Sequence, residues 1–130
     1  MADPNAELAR KYLEAWSAGE LDTVRSMLTN DVEVHIPGRT PLAGVYRNAS
    51  DFFGYIDKVL DLTGGKTERI EILDILANDE RAAAITRVRF RRPGKNTECR
   101  RFFTFDIRDG RIYELWVFDE DQYVVDEFFS

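Results

Sequence analysis

A chain of 130 residues with a formal charge of −6 and 44% hydrophobic residues has the size and composition of one folded domain, residues 1–130. The acidic balance excludes ordinary nucleic-acid binding, which needs a basic face; the local cluster Arg87, Arg89, Arg91, Arg92, Lys95, Arg100 and Arg101 reads as the solvated side and turn of a hairpin. The single Cys99 excludes an internal disulfide, no apolar run reaches the ~18 residues of a membrane span, and the acidic start at Asp3 lacks a signal-peptide pattern, so a soluble, cytoplasmic protein that binds no membrane is expected.

Asp3-Pro4 opens the first helix, with Asp3 as N-cap and Pro4 in the first position, and Gly19 ends it after about Ala18. Leu8, Tyr12, Ala15 and Trp16 share one face at i, i+4, i+7 and i+8. Aromatics at that spacing make core, but the polar tips of Tyr12 and Trp16 also suit a pocket wall. A short second helix follows, capped by Asp22, with Val24, Met27 and Leu28 inward, and stops at Thr29-Asn30-Asp31. Residues 32–36 alternate as a strand, with Val32, Val34 and Ile36 on one side and Glu33 and His35 on the other, until Pro37-Gly38. Val45-Tyr46-Arg47 forms a brief strand or turn. Asn48 or Ser50 caps a third helix to about Leu62, with the stripe Phe52, Phe53, Ile56, Val59 and Leu60, closed by Gly64-Gly65.

The remainder reads as strand. Residues 68–76 alternate Ile70, Ile72 and Leu76 with Glu71 and Asp74. Residues 82–91 set Ala84, Thr86, Val88 and Phe90 against Ile85, Arg87 and Arg89. Residues 98–107 and 111–118 form a long hairpin about Asp109-Gly110, a pair that accepts the positive φ angles of a type I′ turn. Its first strand places Phe103, Phe105 and Ile107 on one face. Its second places Tyr113, Leu115, Val117 and Asp119 on one face and Ile112, Glu114, Trp116 and Phe118 on the other, so both faces need cover. Residues 121–129 can add one or two helical turns, laying Tyr123, Val124 and Phe128 against the open end of the sheet.

Helices first and an antiparallel meander after give an α+β architecture, three N-terminal helices on one face of a strongly curved sheet. The space between them is the default ligand pocket, walled by Tyr12, Trp16, Leu28, Ile36, Phe52, Phe53, Ile56, Phe103, Phe105 and Leu115. Four polar groups can supply chemistry. Tyr12 is a hydrogen-bond donor. His35 is the one side chain that titrates near neutrality unaided, although alternation with Val34 and Ile36 turns it from the pocket. Asp119 reads either as a carboxyl raised in pKa at the pocket mouth or as a hydrated strand end. Arg101 shares the parity of Phe103 and binds an anionic group or pairs with Glu114. One His and scattered carboxylates give no metal-ligand spacing, and no Gly-rich loop implies a nucleotide cofactor, so neither metal nor cofactor is expected.

Residues 12–22, Asn30-Asp31-Val32, His35-Ile36-Pro37-Gly38, residues 42–46, Asn78-Asp79, Asp109-Gly110-Arg111-Ile112, Trp116 and Asp121-Gln122 resemble the SnoaL-like polyketide-cyclase family of the nuclear-transport-factor-2-like, ketosteroid-isomerase-related superfamily. The resemblance implies a cone-shaped α+β barrel, a pocket for a small apolar molecule, a pocket role for His35 and pairing of two copies through the outer sheet face. Ketosteroid isomerase uses an Asp base with a Tyr and a protonated Asp in its oxyanion hole. Alignment on the same elements sets Tyr12 at that Tyr but Ile36 and Phe103 at the two carboxyls, so steroid isomerisation is not expected. Three readings remain open: a cofactor-free acid–base enzyme (cyclase, isomerase or dehydratase type) using Tyr12, His35 and Asp119; a non-catalytic binding module; and a homodimerising domain whose outer row Ile112, Trp116 and Phe118 is rimmed by Arg87, Arg89 and Glu114.

Overall fold

The Asp109-Gly110 turn adopts the two positive φ angles, 53° and 74°, that the dipeptide was chosen to supply. It joins the last two strands of a computed structural model that describes residues 3–65 and 67–130. In chain order the elements are α1 (Pro4–Ala18), α2 (Leu21–Ser26), β1 (Leu28–Ile36), β2 (Gly44–Tyr46), α3 (Ala49–Thr63), β3 (Arg69–Ala77), β4 (Arg81–Arg92), β5 (Lys95–Arg108), β6 (Arg111–Asp119) and α4 (Gln122–Phe129). The six strands form one curved sheet in the order β2-β1-β6-β5-β4-β3. Every neighbouring pair is antiparallel except β1 with β6, which run parallel. No helix is long and apolar enough to cross a membrane.

The helix ends follow the capping chemistry. Asp3 accepts from the Asn5 and Ala6 amides, Asn48 from Asp51, and Gly19 and Gly64 close α1 and α3 in the left-handed conformation. α1 and α3 bury Tyr12, Leu13, Trp16, Phe52, Ile56 and Val59 against the inner sheet face. Phe105, fully buried, lies edge-on to Tyr12 at 5.5 Å and stacks with Phe103 at 6.0 Å between ring centres.

Four local expectations are corrected. Asp22 does not cap α2; Glu20 is the cap residue and makes no side-chain bond. β1 begins at Leu28, not Val32, because Leu28 pairs with Ile112 and the Ile112 amide bonds the Met27 carbonyl at 2.9 Å. Thr29-Asn30-Asp31 is therefore strand. Register shifts move two apolar residues across the sheet. One, between Asp106 and Ile107, pairs Ile112 with Ile107 and turns Ile112 into the core and out of the outer row. The other, between Ile72 and Asp74, faces Ile75 inward and leaves Leu76 60% exposed.

α4 closes a second apolar cluster of Val88, Phe90, Cys99, Val125 and Phe128. Tyr123 points to solvent and Val124 is half-buried, so Val125 and Phe128 carry the packing. Arg92 and Lys95 donate to the Phe128 and Glu127 carbonyls, each at 2.9 Å, pinning the end of α4 to the β4–β5 turn. The start of α4 lies against Gly38, which sits at φ 111°. A Cβ there would fall 2.3 Å from Asp126 Oδ1 and 2.7 Å from Gln122 Nε2. Gly38→Ala is expected to destabilise the fold by about 1–3 kcal/mol through backbone strain, with faster amide exchange in residues 122–129. Gly54→Ala, where nothing lies within 4 Å in α3, is the control; it should be neutral or stabilising by up to about 1 kcal/mol. Urea unfolding and hydrogen exchange check both.

Candidate functional site

Arg101 points inward from β5 with the parity of Phe103, and the strand register sets it opposite Asp119 on β6. The guanidinium grips that carboxylate with two bonds, Nε to Oδ1 at 2.7 Å and Nη2 to Oδ2 at 3.0 Å. The two side chains are 6% and 0% exposed. The remaining nitrogen, Nη1, lies 3.4 Å from Glu68 Oε1, and the plane sits 4.8 Å above the centre of the Phe90 ring. Glu68, just before β3, also accepts a hydrogen bond on Oε2 from the indole Nε1 of Trp16 in α1. One buried cation thus holds two buried carboxyls.

The electrostatics separate them. Burial raises the Glu68 pKa, against the opposing pull of Arg101, its own backbone and Trp16. Desolvation pulls the Arg101 value down, and Asp119 more than offsets it, so the net shift is upward. Burial, reinforced by Glu68, also raises the phenols of Tyr12 and Tyr55. Burial, then Asp119, pushes the Cys99 thiol up to about 11, which leaves it a packing group and not a nucleophile.

Glu68, Arg101, Tyr12 and Tyr55 meet in a cavity of about 20 Å³ between α1, α3 and the sheet, room for about one water. Of the residues expected in its wall, Tyr12, Trp16, Ile36, Phe52, Arg101, Phe103 and Leu115 line it. Leu28, Ile56 and Phe105 are core residues outside it. Phe53 lies on the outer side of α3, half-buried under the Arg25 guanidinium at 4.9 Å, because it follows Phe52 by one position and so faces about 100° away. Among the described residues neither the Tyr12 nor the Tyr55 hydroxyl has a hydrogen-bond partner. Ile36 and Phe103 put hydrocarbon in the wall.

His35 is on the other face of the sheet. Alternation with the buried Val34 decides this against the resemblance. Its ring stacks on Trp116, 3.5 Å between centres and 4° between planes, and its Nε2 lies 2.8 Å from Glu114 Oε2. Glu114 is thus a partner of His35, not of Arg101. Asp119 is neither a free acid at a pocket mouth nor a hydrated strand end; Arg101 holds it. The expectation of no metal-ligand grouping is also corrected: Glu33, His35 and Glu114 bring their ligand atoms within 4.8 Å of one another. The parallel β1–β6 pair makes this set from residues 79 positions apart, which linear spacing does not reveal.

Sequence reasoning missed Glu68 and Tyr55. Both had a signal. Glu68 shares the parity of Ile70 and Ile72, a carboxyl on an inward face. Tyr55 lies three residues after Phe52, on the same helical stripe.

The family model described as SnoaL-like domain matches residues 9–115. An uncharacterized protein of Mycobacterium tuberculosis is 28% identical over 129 residues, 98% of each chain. The structure of Bal32a, from a soil-derived mobile gene cassette, superposes with a TM-score of 0.90 at 27% identity, over 98% of this chain and 97% of that one. A Xanthomonas campestris protein with a cystatin-like fold gives 0.88 at 25% identity, over 95% and 96% of the two chains.

A raised carboxyl pKa means the folded chain holds that proton more tightly than the unfolded chain. Its contribution to stability is full below the unfolded value, about 4.5, and is lost as pH rises through the folded value. Glu68→Gln mimics the protonated carboxyl. The difference in unfolding free energy, variant minus wild type, should therefore grow in favour of the variant as pH rises above about 4.5 and then level off. Urea titrations of both proteins across pH 4–9 measure this.

Proposed function

The chain belongs to the SnoaL-like domain family and has its cystatin-like α+β cone, and from that premise we propose a cofactor-independent acid–base enzyme acting on a small, largely apolar molecule held in the cone, of the cyclase, isomerase or dehydratase type. One observation carries the reading: two phenol hydroxyls without partners among the described residues and a carboxyl whose pKa burial raises share one apolar chamber.

The roles follow from the chemistry. Glu68, its pKa raised by burial and its carboxyl in the cavity wall, takes a proton from the carbon beside a substrate carbonyl. The Tyr12 hydroxyl, helped by Tyr55, donates to the oxygen on which the negative charge develops. Glu68 then returns the proton to another carbon in an isomerisation or to a departing hydroxyl in a dehydration; in a cyclisation the enolate attacks a second carbonyl of the same molecule and Glu68 protonates the new alkoxide. Arg101 and Asp119 are positioning residues, holding Glu68 without touching the reacting atoms. The cavity of about 20 Å³ must widen to admit a substrate, because ligand pockets measure roughly 300 Å³ or more. His35, on the far face, takes no part.

Small apolar ketones incubated with the protein in deuterated water should exchange their α-protons. Glu68→Gln should slow that exchange by roughly 10²–10⁴-fold and Tyr12→Phe by roughly 10², with the effect in kcat and not KM. Unchanged kcat in both variants would leave the two residues as packing groups.

A second reading, compatible with the first, rests on the outer sheet face: the chain forms a homodimer there. Phe102, Trp116 and Phe118 are 38%, 39% and 47% exposed and adjoin in register, Phe102 opposite Phe118. Beside them Arg87 and Arg89 alternate with Glu71 and Glu98 in pairs of both signs, the self-complementary edge that an isologous contact needs. Wild type should sediment as a dimer and Trp116→Glu as a folded monomer. A wild type that stays monomeric at high concentration, or a Trp116→Glu variant that stays dimeric, removes this reading.

A further inference from the structure

The outer face carries a donor set that the cone chemistry does not use and that Trp116 joins to the aromatic row. Glu33 and His35 stand two apart on β1 and so project from the same face; Glu114 is the register partner of Glu33 across the parallel β1–β6 pair. His35 Nε2 lies 2.8 Å from Glu114 Oε2 and 3.9 Å from Glu33 Oε2. All three ligand atoms fall within 4.8 Å of one another. We propose that Glu33, His35 and Glu114 form a binding site for one divalent transition-metal ion per chain, of the zinc type.

The set is built, not loose. The face-to-face stack on Trp116 fixes the plane of the imidazole, and its Nε2 lies on the side of the two carboxylates. The Trp116 Nε1 donates to Glu114 Oε2 at 3.1 Å and so orients that carboxylate from its outer side. Arg47 Nη1 holds Glu33 Oε1 at 3.0 Å, which leaves Oε2 as the oxygen turned to the imidazole. The donors stand on hydrogen-bonded strands, which hold positions better than loops do.

Size and charge fit the same occupant. Zinc binds imidazole nitrogen at about 2.0–2.1 Å and carboxylate oxygen at about 2.0–2.2 Å, which spaces tetrahedral ligands roughly 3.3 Å apart. Reaching that spacing opens the His35–Glu114 contact slightly and draws Glu33 inward, both within side-chain rotation. Two carboxylates cancel the ion's two charges. The site is open to solvent, with side chains 15%, 40% and 28% exposed for His35, Glu33 and Glu114, so a water or other small donor completes the shell. An imidazole in the set selects zinc-like ions over magnesium and calcium, which prefer oxygen alone.

The 130-residue chain titrated calorimetrically with Zn²⁺ alone at pH 7.5 tests the site. One ion per chain is expected, with no comparable binding of Mg²⁺ or Ca²⁺. His35→Gln and Glu114→Gln should each weaken it at least tenfold, since even outer-shell changes cost 10–100-fold. His35 is the single histidine, so its ring resonances report the ion without assignment ambiguity: Zn²⁺ should shift them at one equivalent. Trp116→Phe keeps a ring under His35 but removes the indole N–H that orients Glu114, so it should weaken the binding less than His35→Gln does and lose the accompanying change in tryptophan emission. Absence of binding, binding that persists in a folded His35→Gln variant, unshifted imidazole resonances, or one ion per two chains would each overturn the proposal.

Discussion

One extra residue in β6 sets the register on which the inner and outer faces depend. The Asp109-Gly110 turn pairs Arg108 with Arg111 and Ile107 with Ile112, but beyond the bulge Asp106 faces Glu114 and Arg101 faces Asp119. Carried on without that bulge, the register would set Arg101 against Phe118 and turn Trp116 toward the helices. A slip of one residue exchanges every side chain between the two faces of a strand. The bulge therefore decides that Leu115, Val117 and Asp119 look into the cone while Glu114, Trp116 and Phe118 look out, and it returns Ile112 to the core at the turn.

The energetic consequence is concentrated on Arg101. A buried guanidinium survives only if its donors are used, and here Asp119 takes two of its nitrogens and Glu68 faces the third. One cation cannot fully neutralise two carboxylates in a medium of low dielectric. Asp119 is gripped bidentately, and burial raises the Glu68 pKa against the pull of Arg101. The proton-handling property assigned to Glu68 is thus a by-product of burying a carboxyl in the wall of the cone. The same arrangement ties α1, through Trp16, to the start of β3 and the β5–β6 hairpin, so the cavity wall and the charge cluster stabilise each other.

Much of the fold was legible because its signals are local. Asp3-Pro4, Gly19, Asn48, Gly64 and Asp109-Gly110 each act within a few residues, and the stripes of α1 and α3 follow one period. The bulges were not legible: they break the alternation at Leu73 and Tyr113, and nothing in those residues announces it. The site divided along the same line. Tyr12, Trp16, Ile36, Phe52, Phe103 and Leu115 could be placed from parity alone. His35 was a conflict between parity and resemblance, and parity prevailed. Glu68 was passed over because a Glu at the head of a strand looks like solvent-facing polarity until the distant Trp16 and Arg101 are seen to claim it.

The parallel β1–β6 pairing also has a history in time. A chain emerging from the ribosome makes β1 early, yet the strand that flanks it on its long side arrives only after α3 and three further strands. Until then β1 has β2 alone, three residues long, and presents its other edge unpaired. Loop closure over such a span is slow compared with hairpin formation. The β3–β6 meander would zip first, and β1 with its helices would dock onto a sheet edge already made, which makes the outer strand of the meander, β6, the docking template for the N-terminal third of the protein.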